Sequence, residues 1–225
     1  MDHHRAPAAS DRRDALPAIA LVGRPNVGKS TFLARATGRF AETANAPGTT
    51  VAAEWRRVRA GERAAWLVDL PGTRSLDDRP AGEAPFWEAL LSIEPDAILV
   101  VADAGALERH LPLVLAARDL GLPVVVAANL ADDARLRGID VDTGRLSQVL
   151  GLPVVLTTAR TGDGVQEAVR LAIDVATRRR RVRDGLAAPT ATAPAPVYPF
   201  ALNARLDELA RASTPGRSLG AAAAA

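Results

Sequence analysis

The sequence predicts an α/β fold, with a mostly parallel sheet of six strands and helices on both of its faces. Apolar runs that suit buried strands recur at residues 18–22, 65–68, 97–102, 124–128 and 154–156. Gly, Pro or Asp bounds most of these runs, and most of the intervals between them have room for a helix. Buried strands that alternate with helices are typical of a parallel sheet covered on both faces.

The first strand leads into a glycine-rich loop and then a helix. Residues 23–30 match the pattern G-x-x-x-x-G-K-[ST], and residues 31–37 suit the helix that should follow. In such a P-loop, successive backbone N–H groups and the helix dipole bind phosphate groups. Lys29 is the only lysine in the chain, at a place where a compact ammonium fits better than a planar guanidinium. The predicted phosphate-binding residues are Gly23, Arg24, Pro25, Asn26, Val27, Gly28, Lys29, Ser30 and Thr31.

The remaining elements of the sheet and its helices follow in order. Residues 51–58 suit an additional strand at the sheet edge, and residues 107–120 and 143–150 suit helices between the later strands. Residues 164–183 predict a closing amphipathic helix. Its apolar stripe consists of Val165, Ala168, Val169, Ala172, Ile173 and Ala176.

Composition divides the chain into one main domain and several appendages. The predicted divisions are a disordered leader at residues 1–17, the main domain at 18–183, an Ala/Pro linker at 184–196, a helical segment at 197–213 and a disordered tail at 214–225. The helical segment has Leu202, Leu206 and Leu209 at helical spacing, which predicts the incomplete start of a second domain. No apolar run approaches the roughly 20 residues of a membrane-spanning helix, so we expect a soluble chain.

The absence of cysteine excludes several function classes, and the positive charge includes one basic cluster. The 225 residues carry a net charge of +2 and a pI of about 9.8, because nearly all the cations are arginine. Basic residues cluster only at 178–183, which is either a solvated helix end or a contact for RNA or lipid headgroups. Without cysteine, disulfides, thiolate metal sites and cysteine nucleophiles are excluded.

Two segments downstream of the P-loop are expected to approach a bound metal ion and the terminal phosphate. Gly48, Thr49 and Thr50 end a turn-rich stretch, from which Thr50 would reach Mg²⁺. The Asp-Leu-Pro-Gly sequence at residues 69–72 follows a strand and would bring a carboxylate near the metal and a glycine amide near the phosphate. The predicted Mg²⁺ residues are Ser30, Thr50 and Asp69, and the predicted nucleotide contacts here also include Pro71 and Gly72.

Two later segments predict that the bound base is guanine. Asn129, Leu130 and Asp132 belong to an N-x-x-D sequence, whose aspartate accepts hydrogen bonds from guanine N1–H and the exocyclic amine. Adenine lacks both donors and would leave the carboxylate unpaired. Leu130 replaces the usual lysine, with a loss of base stacking. The pocket is completed by Thr158, Ala159 and Arg160, with the Ala159 amide expected at guanine O6.

These motifs together resemble the cytoplasmic G domain of the ferrous iron transport protein B family, within the P-loop GTPase class that includes tRNA-modifying GTPases. The resemblance covers about residues 18–175 and is most specific in the sequences D-L-P-G-T-R-S-L at 69–76, L-E-R-H-L at 107–111 and A-R-T-G-D-G at 159–164. Departures from the family pattern occur at Arg24, Ala46 and Arg74.

The resemblance implies a GTP-operated module that regulates ferrous iron uptake. Residues 197–212 resemble the start of the family's helical domain, which restrains GDP release. The family's polytopic membrane region is not in this sequence, so we expect a fragment, a truncated paralogue or a subunit acting in trans. The expected partners are guanine nucleotide, a membrane iron-transport domain and a nucleotide-dependent second copy, at the inner face of the membrane and without nucleic acid.

Catalysis is predicted to rest on Lys29, Asn26, Thr50 and the Gly72 amide. The position that carries a water-orienting glutamine in Ras-like proteins is Thr73, so intrinsic hydrolysis should be slow. In the resembled family, the asparagine matched by Asn26 helps to hold K⁺, which would supply charge at the phosphates. Two alternatives remain: Asn26 caps its own loop, or Arg24 or Arg74 supplies the charge instead.

Two other functions remain open on the sequence alone. The first is a free-standing GTPase of the ribosome-assembly or tRNA-modification kind, which would carry an RNA-binding domain. The second is a sensor that binds GDP and GTP with negligible turnover.

Overall fold

The computed structural model describes residues 16–38, 43–45, 53–70, 90 and 92–187. Its strands are β1 Ala18–Val22, β2 Thr43–Asn45, β3 Glu54–Ala60, β4 Arg63–Asp69, β5 Ala97–Asp103, β6 Val124–Asn129 and β7 Val154–Leu156. Its helices are α1 Lys29–Thr37, the 3-10 helix η1 Ala104–Arg109, α2 Leu111–Asp119, α3 Ala131–Leu136, α4 Thr143–Leu150 and α5 Val165–Arg183.

The strands form one mixed sheet in the order β2-β3-β4-β1-β5-β6-β7. Strands β4, β1, β5, β6 and β7 are parallel, and β2 and β3 run antiparallel at one edge. The predicted α/β class is confirmed. The edge strand expected at residues 51–58 corresponds to β3, and the three-residue β2 lies outside it as a seventh strand.

Helices cover both faces of the sheet, and β1 contributes side chains to both layers. Ile19 and Leu21 join the core cluster under α1 and α5. Ala20 and Val22 join the cluster under α2 and α4 on the opposite face. All five residues of β1 are buried, as expected for a strand covered on both sides. The six residues predicted for the apolar stripe of the closing helix are the buried residues of α5.

Helix bounds agree with the sequence where the pattern is regular. The helix expected at 107–120 is divided at His110 into η1 and α2, and Pro112 lies in the first turn of α2. Within η1, Ala106 has a non-helical backbone (φ −151°). The short α3 was not predicted from the sequence. Among the described residues, no helix has the length and hydropathy needed to cross a bilayer.

The C-terminal end of α5 contacts residues at the amino ends of the parallel strands, on the opposite side of the sheet from the P-loop. Arg183 forms a 2.8 Å ion pair with buried Asp96, whose second oxygen accepts from the Ala18 amide at 2.9 Å. Burial raises the pKa of Asp96 above its ordinary value. Arg179 donates to the Gly121 carbonyl at 2.7 Å. These contacts favour a structural role for the basic cluster over contact with RNA or lipid.

The leader, the helical segment at 197–213 and the tail lie outside the described residues. The division of the chain into these parts therefore stays a prediction. Within the described part, the parallel strands all end at the edge of the sheet where the P-loop begins. This edge carries the candidate site.

We expect Gly164→Ala to destabilise the domain far more than Gly151→Ala. Both glycines have left-handed helical backbones, with φ and ψ of +70° and −13° at Gly164 and +65° and +24° at Gly151, so either alanine costs about 1 kcal/mol of strain. Only at Gly164 would the new Cβ lie 2.1 Å from the Leu156 carbonyl oxygen, while a Cβ on Gly151 would face open space. The clash should cost about 2 kcal/mol more in urea unfolding. Equal losses in the two variants would contradict this packing.

Candidate nucleotide-binding site

The P-loop folds tightly against the ends of two neighbouring strands. A Cβ on Gly23 would lie 2.7 Å from the Val101 carbonyl oxygen of β5. A Cβ on Gly28 would lie 2.6 Å from the Asn129 amide nitrogen. Asn26 and Gly28 have left-handed backbones, with φ of 67° and 80°. The loop therefore requires glycine at both places because a side chain would displace a neighbouring strand end.

The helix that follows the P-loop begins in a way that suits an anionic ligand. Gly28 is the N-cap of α1, and no side chain caps the first turn. The first amides of a helix have no partner within the helix, and the helix dipole favours negative charge there. Ser30 and Thr31 lie exposed on this first turn, beside Lys29. The donor set fits phosphate groups.

Lys29 joins the P-loop to the end of β4. Its ammonium forms an ion pair with the Asp69 carboxylate and donates to the Leu70 carbonyl oxygen at 2.7 Å. The two charged side chains are mostly buried, with 12% and 20% of their surface exposed. The structure thus brings together the predicted P-loop lysine and the predicted metal-associated carboxylate. Asp69 and the Ser30 hydroxyl offer the oxygen ligands that Mg²⁺ prefers.

The Asn129 side chain connects the P-loop to the loop after β7. It is 1% exposed, and its amide nitrogen donates to the Val27 carbonyl oxygen at 2.8 Å. Its oxygen accepts from the Ala159 amide at 2.9 Å and from the Thr157 hydroxyl at 3.1 Å. Both polar atoms of the buried side chain are therefore satisfied, as burial requires. The sequence placed Asn129 in the base pocket without indicating this connecting role.

The loop after β7, residues 157–164, is here called the base loop. It is closed by hydrogen bonds from the Thr158 amide to the Asp163 carbonyl at 3.0 Å and from the Gly162 amide to the Thr158 carbonyl at 2.8 Å. Thr158 and Ala159 are buried, with 4% and 3% exposure. The Ala159 amide that is expected at guanine O6 donates to Asn129, so that contact stays a prediction.

Asp132 presents its carboxylate beside the base loop. Leu130 has a left-handed backbone with φ of 61° and is the N-cap of α3, which places Asp132 in the first turn. The Asp132 carboxylate accepts from the Arg160 guanidinium at 2.9 Å. This hydrogen bond holds the pKa of Asp132 below its ordinary value. The carboxylate thus stays ionised at neutral pH and becomes protonated only in more acidic solution than an isolated aspartate, which preserves its acceptor oxygens.

Arg24 connects the P-loop to the segment that carries the L-E-R-H-L sequence. Its guanidinium donates to the Arg109 carbonyl oxygen at 2.6 Å. His110, next in the chain, is buried, and burial lowers its pKa below the ordinary value. Of the two arginines considered as a source of charge at the phosphates, Arg24 therefore contacts main chain, and Arg74 lies outside the described residues.

Sequence reasoning missed one residue that contacts the base loop. Arg35, on the exposed side of α1, donates from Nε to the Ala159 carbonyl oxygen at 3.3 Å and from its terminal nitrogen to the Arg160 carbonyl oxygen. An arginine on an exposed helix face belongs to no motif, so only the fold reveals the contact. The predicted residues Gly48, Thr49, Thr50, Pro71 and Gly72 lie outside the described residues, and Pro25 lies exposed within the P-loop.

A P-loop, a lysine paired with the aspartate that ends β4, and an N-x-x-D segment joined to the base loop define a P-loop GTPase domain. Comparison with known proteins gives the family. A model of the family "Ferrous iron transport protein B" matches residues 17–172. The chain belongs to this family.

Curated relatives support the same assignment. The Fe(2+) transport protein A/Fe(2+) transporter FeoB fusion protein of Porphyromonas gingivalis is 38% identical over 166 residues, covering 73% of this chain and 20% of the relative. The Fe(2+) transporter FeoB of Synechocystis is 34% identical over 165 residues, covering 73% of this chain and 27% of the relative. The chain thus spans about a fifth to a quarter of the length of these relatives.

Solved structures of similar fold are cytosolic domains of the same family. A mutant of S. thermophilus NFeoB bound to GDP gives a TM-score of 0.68 at 32% identity, covering 84% of this chain and 69% of that one. The G domain of the T. maritima FeoB iron transporter gives a TM-score of 0.61 at 32% identity, covering 71% of this chain and 98% of that one.

We expect Asn129→Ala and Asp132→Ala to differ in their effects on stability. Asn129→Ala leaves the buried Val27 carbonyl and Ala159 amide unpaired, so the free energy of unfolding should fall by about 2 to 4 kcal/mol. Asp132 is paired with exposed Arg160, so its replacement should leave urea unfolding nearly unchanged. Equal destabilisation by the two variants would contradict the connecting role of Asn129.

Proposed function

We propose that this chain binds guanine nucleotide and hydrolyses GTP to GDP and phosphate, as the regulatory G domain of a ferrous iron transport system. The observation that carries the proposal is the Asn129 connection, which holds the P-loop and the base loop on one side chain. This connection supports a single pocket that combines the phosphate-binding amides with the Asp132 carboxylate. The GDP-bound domain of S. thermophilus supports the choice of nucleotide.

Guanine selectivity follows from the charge state of Asp132. An ionised carboxylate accepts hydrogen bonds and donates none, so it pairs with guanine N1–H and the exocyclic amine. The same carboxylate would face the N1 acceptor of adenine, which repels it. The Arg160 guanidinium would give up its hydrogen bond to Asp132 when the base binds, which costs little because the pair is exposed.

Phosphate binding requires Lys29 to exchange partners. Its ammonium, which is paired with Asp69, would turn to the β- and γ-phosphates, and the Asp69 carboxylate would then be free to face Mg²⁺ through water. Ser30 and Thr50 would hold the ion directly, and when bound it neutralises charge on the phosphate oxygens. The P-loop amides and the first turn of α1 position the phosphates for attack by water.

Intrinsic hydrolysis is expected to be slow. Thr73, after the Gly72 amide that would bind the γ-phosphate, has no side-chain amide to orient water. Charge stabilisation would then come from Lys29 and from K⁺ held with the help of Asn26, whose left-handed backbone lies at the exposed rim of the P-loop. A sensor with negligible turnover is the second candidate, and the threonine at position 73 is the observation that favours it.

The partners proposed for the domain follow from the family. The relatives are Fe(2+) transporters several times longer than this chain, which supports a membrane iron-transport domain in cis or in trans. The domain would lie at the cytoplasmic face of the membrane, and a nucleotide-dependent second copy remains part of the proposal. Nucleic acid is not among the proposed partners, because Arg179 and Arg183 contact their own domain.

Turnover of nucleotide by the purified chain with Mg²⁺ tests this function. We expect GTP, and not ATP, to be hydrolysed slowly, and several-fold faster in potassium chloride than in sodium chloride of equal ionic strength. Asn26→Ala should abolish the potassium stimulation, while Arg24→Ala should retain it. Equal slow rates in both salts would reject the potassium site and favour the sensor. Hydrolysis of ATP as readily as GTP would reject the guanine assignment.

A further inference from the structure

Arg35 lies on α1, the helix that begins at the end of the P-loop. It is six residues after Lys29 in α1, so the two residues are separated by about 9 Å along the helix axis. Phe32, Leu33 and Ala36 of the same helix are buried in the core, which leaves the helix little freedom to move. Arg35 itself is exposed, and its side chain donates hydrogen bonds to the base loop.

The Arg35 side chain contacts the base loop with atoms from its Cγ to a terminal guanidinium nitrogen. Its Nε donates to the Ala159 carbonyl oxygen at 3.3 Å, and its terminal nitrogen donates to the Arg160 carbonyl oxygen. Its aliphatic part lies against Gly162, where a Cβ would be 3.2 Å from the arginine Cδ. Gly162 has φ of +99°, a backbone that favours glycine. The loop therefore has a shape that accommodates this arginine.

Both backbone polar groups of Ala159 are hydrogen-bonded to side chains from other elements of the fold. Its amide donates to Asn129, which comes from β6, and its carbonyl accepts from Arg35, which comes from α1. The hydrogen bonds that close the loop internally use the Thr158 and Asp163 carbonyls instead. Movement of the loop away from a bound base would therefore break the contacts of Arg35 without opening the loop itself.

We propose that Arg35 is a positioning residue that sets how long guanine nucleotide stays bound. The inference rests on the proposed function and deepens it at the base end of the same site. Release of the base requires the base loop to move outward, and the two hydrogen bonds of Arg35 oppose that movement. Because Arg35 acts on the base loop and not on the phosphate-binding amides, it affects residence of the nucleotide and leaves the chemical step unchanged.

The test compares Arg35→Ala with the unaltered chain in a chase of fluorescent GDP by excess GDP. Loss of two hydrogen bonds from a charged donor should speed dissociation roughly 3- to 30-fold. Arg35→Lys should lie between, because an ammonium cannot reproduce the two-pronged contact of a guanidinium. Arg170→Ala is the matched control: it removes the same charge from an exposed helix position whose partner is Asp174.

Two further readouts separate positioning from general damage. Single-turnover hydrolysis of saturating GTP and the Tm of the nucleotide-free protein should match those of the Arg170→Ala control. Dissociation as slow as in that control, or a faster release that parallels a lower Tm, would overturn the proposal. If the unaltered chain fails to bind GDP at all, the proposed function fails first, and this inference fails with it.

Discussion

The site depends on one buried carboxamide. Asn129 ends β6 and makes hydrogen bonds to the P-loop carbonyl of Val27, the Thr157 hydroxyl and the Ala159 amide. A buried polar side chain is stable only when its atoms are paired, so these three segments must lie together for any one of them to be well placed. The close approach of Asn129 to Gly28 also explains why the second P-loop glycine cannot carry a side chain.

The two ends of the parallel strands therefore have different roles. At the carboxyl ends, the strands lead into loops that carry the candidate site, where Lys29 is paired with Asp69 at the end of β4. At the amino ends, buried Asp96 is paired with Arg183 and the Ala18 amide. These contacts hold the start of β1 against the end of α5, and β1 leads directly to the P-loop.

Much of the fold could be predicted because its signals are local. β1, β7 and α4 have the bounds expected from apolar runs and helical spacing, and the buried stripe of α5 follows from its period. The division between η1 and α2 and the six-residue α3 could not be predicted, since elements this short carry too little periodicity. The site motifs were likewise visible as sequence patterns. The contacts of Arg35 and Arg183 were not, because they join residues more than 80 positions apart.

The central claim, that three separate loops form one guanine nucleotide site, is tested most directly by hydrogen–deuterium exchange of the purified chain with and without nucleotide. We expect GDP to slow amide exchange together in the P-loop, in residues 129–132 and in the base loop, because Asn129 connects the first and last of these. ADP should leave all three unchanged. Protection confined to the P-loop, or equal protection by GDP and ADP, would contradict the account.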